Sequence, residues 1–212
     1  MIAYASRTGS ARNLDALRNA GWRLLVSAKG VHRNEGFPYA IDNGAWTAHT
    51  QGQPFDAEAF IKVVNYLGAD ADFVVAPDVV CGGPGSLALS LQWLPWLRDR
   101  TARVLLPVQD GMEDADISPF LSPTVGIFIG GSTIPPLVWK ESTAQRWARL
   151  AREHGAHCHM GRVNTRRRIT ICALAGVDSF DGSNLSKYSK NAPLLDGARR
   201  QTSFLPMVSH VP

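Results

Sequence analysis

The chain has 212 residues, 45% of them hydrophobic, and a formal net charge of +4. That is enough for one sizeable core or two small ones, and the composition excludes a disordered protein. No apolar run is long enough for a bilayer and no secretory leader opens the chain, so a cytoplasmic protein without membrane contact is expected.

Short apolar runs recur at residues 2–5, 23–27, 38–41, 72–76, 103–107, 125–129, 156–160 and 177–180. Most are unbroken rather than alternating, which is how strands buried on both faces read. Helical patterns fall between most of them, at 13–20, 56–67, 85–97, 140–154 and 166–175, the fourth of these capped by Ser132 or Thr133 or begun at the Pro135-Pro136 corner. The link from Ser27 to Pro38 reads as a loop. Strand–helix alternation with eight candidate strands predicts a small (β/α)8 barrel over residues 1–183 with some helices shortened or missing, and an open doubly wound sheet is the alternative. After Ser183 the chain turns polar and irregular, so residues 184–212 are expected as an extension packed on the barrel or partly flexible.

The cysteines Cys81, Cys158 and Cys172 form no CxxC pair, so a disulfide framework or zinc knot is not expected. His154, His157 and His159 gather around Cys158, but strand alternation puts His157 and His159 on one face and Cys158 on the other, and no metal site is assigned. From residue 161 onward eight basic residues face three acidic ones, which suggests a polyanionic substrate. For Arg166, Arg167 and Arg168 alone, a solvated helix face is the plainer reading.

In a parallel barrel the C-terminal strand ends face one way and build the active site. Taken in order, those ends carry Asp42 with Trp46 close behind, Asp78, Gln109 and Asp110, Gly130-Gly131, Met160-Gly161-Arg162, and Asp181-Gly182-Ser183. Each has a bland alternative: Asp42-Asn43-Gly44 is good turn chemistry, Asp78 suits a helix cap, and Gly130-Gly131 suits a tight turn. Their gathering at one end favours a site.

The chain resembles the tRNA-guanine transglycosylase family over roughly residues 38–183. The match is clearest at His159-Met160-Gly161, a helix ending Ala173-Leu174-Ala175-Gly176, and Val177-Asp178-Ser179-Phe180-Asp181, similar to a Met-Gly turn, a helix and a signature ending in the nucleophilic Asp. The resemblance implies that Asp181 is the nucleophile and Asp42 the general acid/base. It implies a base pocket of Asp78, Gln109, Gly130 and Gly131, with Trp46 and Met160 on the two faces of the base. The family's zinc-bearing segment has no counterpart after Cys172, which looks like the compact relatives acting on DNA in phages with deazaguanine-modified genomes.

On that resemblance the expected reaction exchanges guanine in DNA for a 7-deazaguanine such as preQ0. It passes through a covalent deoxyribosyl-enzyme and needs no cofactor. The expected partners are DNA or RNA and the free 7-deazaguanine base, with a partner protein or homodimer also open, in a host cytoplasm if phage-encoded. Arg162, Arg166, Arg167, Arg168, Lys187 and Lys190 are expected on phosphates. The alternatives are the same exchange on RNA, a barrel that binds nucleic acid without catalysis, a deoxyribosyl hydrolase, and a flavodoxin-like protein holding FMN phosphate on residues 4–13.

Overall fold

A computed structural model of the chain describes residues 1–132 and 139–201. Eight strands close into one barrel in sequence order: Ile2–Ser6 (β1), Arg23–Ser27 (β2), Tyr39–Asp42 (β3), Val74–Val75 (β4), Val104–Val108 (β5), Val125–Ile129 (β6), Cys158–Met160 (β7) and Ser179–Gly182 (β8). All neighbours are parallel, and β8 closes on β1 with Ile2 opposite Ser179 and Tyr4 opposite Asp181. The fold is a (β/α)8 barrel. The open doubly wound sheet is not formed, and the flavodoxin-like reading loses the sheet it depends on.

Every strand overlaps one of the short apolar runs, and most of those runs are unbroken because each strand buries two faces. Outward residues such as Leu24, Val26, Ile41, Leu106, Ile127 and Phe180 pack beneath the helices. Inward residues Tyr4, Leu25, Ala40, Phe73, Val75 and Leu105 form a second cluster inside the barrel, with Phe128 against it. Gly126 is needed in that interior, since a Cβ there would lie 2.2 Å from the His157 carbonyl oxygen. At the N-terminal end Tyr4 and Arg23 both donate to Asp72, at 2.9 and 2.7 Å, and close the floor.

The helices are Ala11–Ala20 (α1), Ala45–Thr50 (α2), Ala57–Leu67 (α3), Pro84–Arg98 (α4), Asp114–Ile117 (α5), Trp139–Glu153 (α6), Arg166–Ala175 (α7), Asn184–Lys187 (α8) and Ala192–Gln201 (α9). No helix joins β2 to β3, as the loop-like composition of that link predicts. Asp56 caps α3 by accepting the Ala59 N–H at 3.0 Å, and Phe60, Val63 and Val64 form its buried stripe. Burying a side chain such as Phe60 contributes roughly 1.5–3 kcal/mol. Thr165 caps α7, and Gly176 ends it in the left-handed conformation.

Thr133 and the Pro135-Pro136 corner, expected at the start of α6, lie outside the described residues, as do residues 202–212 of the extension. Ser132 gives its N–H and hydroxyl to Asp110, at 2.7 and 2.6 Å. As far as Gln201, where the described residues end, the stretch after Ser183 is not irregular. It forms α8 and α9, and α9 packs on α1 and α7 through buried Leu195 and Ala198.

Candidate active site

The C-terminal ends of the strands form a mouth lined by carboxylates. Asp42 ends β3 with its side chain turned inward, because Ala40 faces in and Ile41 faces out. Gly44 follows in the left-handed region at φ 81° and gives its N–H to Asp42 Oδ2 at 3.1 Å. Burial raises the Asp42 carboxyl to about 7, with the charges of Asp181 and Asp78 adding to the rise and hydrogen bonds from Gly44 and Ser27 opposing it. Asp42 and Asp181 therefore share one electrostatic environment across the mouth.

Asp181 is buried on β8 with both oxygens held. His159 Nε2 lies 3.0 Å from Oδ1, and the Arg162 N–H is 3.3 Å from Oδ2. The turn beneath it is tight: a Cβ on Gly161 would lie 2.5 Å from the Phe128 ring and 3.3 Å from Asp181 Oδ1.

Asp78 leaves β4 and is gripped by two amides. Asn43 Nδ2 donates to Oδ1 at 2.8 Å, and Gln109 Nε2 donates to Oδ2 at 2.6 Å. Burial raises the Asp78 carboxyl, while those two hydrogen bonds and the charge of Arg162 oppose the rise. Each carboxylate oxygen keeps a second lone pair for a ligand.

Asp42, Asp78, Asp181, Trp46, Gly130 and Gly131 are thus brought to one mouth, but three expected placements need correction. Met160 is not a stacking face. Alternation along β7 turns His159 inward and Met160 outward, where it is fully buried with its Sδ 3.3 Å from Cys172 Sγ under α7. Gln109 is not turned to a ligand edge. Its Nε2 serves Asp78 and the Val79 carbonyl, and its Oε1 accepts the Gly83 N–H at 3.3 Å, so it fastens the β4–α4 loop.

Arg162 is not splayed toward a phosphate. Its guanidinium lies over the Trp46 ring, 3.9 Å from the centroid, and donates to the Gly130 and Gly131 carbonyls at 3.1 Å each. Arg167, itself exposed, and half-buried Arg168 both pair with Glu141 on α6, while Arg166, Lys187 and Lys190 are exposed as well.

Several side chains escaped the sequence reading. Asn43 bridges the Ala76 carbonyl and Asp78. Lys140 is fully buried and donates to the Gly161 carbonyl at 2.8 Å, so it supports the turn that presents Arg162. Burial and the neighbouring Arg162 charge push its ammonium down to about 7. A signal existed, since Lys140 lies on the same helical stripe as buried Ala144, Trp147 and Ala151.

The histidines near Cys158 separate. His154 meets Ser118 at 3.0 Å, His157 and His159 point into the barrel, and Cys158 points out. Among the described residues no group of three or more His, Cys, Asp or Glu side chains is placed to hold a metal ion.

The chain matches no protein-family model, and no curated protein matches it.

Proposed function

We propose that the chain is a pentosyltransferase that exchanges guanine in DNA for a 7-deazaguanine. The observation that carries this reading is the carboxylate pair at the mouth. Asp181 is held by two N–H donors, and Asp42 has a proton affinity lifted to about 7 beside it. One carboxylate fixed for attack and a second that exchanges a proton near neutrality are what a glycosyl exchange with retention requires.

In the first half-reaction an Asp181 oxygen bonds to C1′ as the bond from C1′ to guanine N9 breaks. The electron pair leaves with the base, which takes the Asp42 proton. In the second, an incoming 7-deazaguanine gives a proton back to Asp42 and attacks C1′, which frees Asp181. The target guanine must leave the duplex or already be unpaired. Trp46 offers it an aromatic face, and Asp78 offers acceptors for the N1–H and N2 amine. The Gly130-Gly131 turn borders the remaining edge, with Gln109 and Asn43 holding Asp78 in place. The same contacts suit a 7-deazaguanine, which differs only in the five-membered ring. Exposed Arg166, Lys187 and Lys190 lie near the mouth, on the first turn of α7 and after β8, where phosphates would pass. The choice of DNA over RNA follows from the likeness to the compact DNA-acting relatives.

The test is to incubate the protein with guanine-containing DNA, or with RNA in parallel, and a labelled 7-deazaguanine or guanine. Label is expected in DNA, together with a protein–DNA adduct that disappears in Asp181→Asn. Label entering only RNA would reassign the polymer. Absence of both label and abasic sites in either polymer would sink the reading.

A further inference from the structure

Beneath Asp181 the barrel interior holds a line of polar side chains that the exchange chemistry above does not use. His157 Nε2 lies 2.7 Å from Ser179 Oγ, and Ser179 Oγ lies 2.8 Å from His159 Nδ1. His159 Nε2 then lies 3.0 Å from Asp181 Oδ1. His159 and Ser179 are both fully buried. Phe128 stacks on the His159 ring at 5.1 Å, and Phe73 and Tyr4 approach it at 5.0 and 5.7 Å. The ring therefore has no room to turn and no water to exchange with.

The proton positions follow from counting donors. A carboxylate oxygen only accepts, so Nε2 of His159 carries the hydrogen. Ser179 has one proton and two imidazole nitrogens against its oxygen, so it donates to one and accepts from the other. With His159 neutral, Nδ1 is bare and accepts the Ser179 hydroxyl, and His157 Nε2–H donates to Ser179. Every proton in the line then points toward Asp181. Burial, with the charge of Arg103 behind it, pushes the His157 imidazole below its ordinary value, which keeps the far end of the line uncharged.

We propose that His159 is a positioning residue for Asp181, a neutral imidazole whose tautomer is set by Ser179 and His157 and whose Nε2–H aims Oδ1 without neutralising its charge. The catalytic meaning of this rests on Asp181 being the nucleophile proposed above, but the tautomer does not. A nucleophile must hold its line of attack closely, and misplacement by about 1 Å can cost on the order of 100-fold in rate.

Two measurements on the full chain test it. Nitrogen-15 NMR of the imidazoles at neutral pH is expected to show His159 protonated on Nε2 and bare on Nδ1. A doubly protonated ring or the opposite tautomer overturns the proposal. In single-turnover adduct formation, His159→Leu is expected to slow the step roughly 100-fold with the DNA dissociation constant unchanged within about threefold. His159→Gln, which keeps a donor near the Nε2 position, is expected to recover at least about tenfold of that loss. Adduct formation at the wild-type rate in His159→Leu, or no recovery in His159→Gln, overturns it. If His159→Leu does not fold, Ser179→Ala takes its place, with a loss of about tenfold expected and an unchanged rate overturning the proposal. Should the wild type form no adduct while the expected tautomer is seen, the transglycosylase reading fails and the imidazole arrangement stands.

Discussion

Asp42 carries a carboxyl raised to about 7, first by burial and then by the charge of Asp181. In an unfolded chain the same group titrates near about 4. Between those values the folded protein holds a proton that the unfolded chain has lost, so this group's contribution to stability falls as pH rises from about 4 to about 7. Urea unfolding at pH 5 and pH 7 should show the wild type losing more stability over that interval than Asp42→Asn, and equal losses would refute the assignment. Arg162 invites a second prediction. Its guanidinium covers a Trp46 face, a contact of about 1–2 kcal/mol when partly desolvated, and a base stacking there must displace it. Arg162→Ala should bind free guanine roughly tenfold more tightly by calorimetry. Weaker binding would mean that the guanidinium contacts the base instead. Asp42 and Asp181 were legible because a carboxylate at a strand exit is visible in a single run of residues. The inward placement of His159 and the outward placement of Met160 followed from the same alternation that separated the histidines from Cys158, but a familiar Met-Gly turn outweighed it. The positions of Gln109 and Arg162 depend on loops far apart in sequence, and no local pattern encodes them.

The eight strands and helices α1, α3, α4, α6 and α7 declared themselves through burial on two faces and through apolar stripes. The four helices that did not are short or carry breakers. Helices α5 and α8 have four residues each and α2 has six, too few to show a period. Helix α9 contains Pro193 and Gly197, which read as punctuation, yet Pro is tolerated in a first turn and packing on α1 and α7 outweighs the cost of one Gly. Asp196 adds a polar tie to that packing: it accepts from Trp22, outside the helix, at 3.2 Å, and from Arg199 and Arg200 of its own helix at 2.6 Å each. Desolvation pushes its carboxyl up, but the hydrogen bonds from Arg200 and Arg199 prevail and hold it below its ordinary value. Its stabilising contribution is therefore present above about pH 4 and lost as pH falls through the lowered value. Asp196→Ala should cost about 1–2 kcal/mol in urea unfolding at neutral pH, and less in acid. A full-sized loss persisting in acid would show that packing, not the charge, fastens the helix.

The barrel concentrates negative charge inside its mouth and places exposed Arg166, Lys187 and Lys190 on the elements after β7 and β8. A polyanion would meet the basic rim first, while an uncharged base could pass to the carboxylates within. The proposed DNA binding should weaken steeply with salt, and each Arg166→Ala, Lys187→Ala or Lys190→Ala change should lower the slope of log affinity against log salt by about one. An unaltered slope in the triple variant would move the polymer to another surface. Lys140 has a different use. Its amine is sealed between α6, the end of β7 and α7, where Arg168, Cys172 and Asp181 influence its charge. An acylating reagent cannot reach it while those elements are packed. Its labelling rate in the native protein, set against that of an exposed lysine such as Lys187, therefore counts how often the seam behind Asp181 parts, a clock that runs with no ligand present.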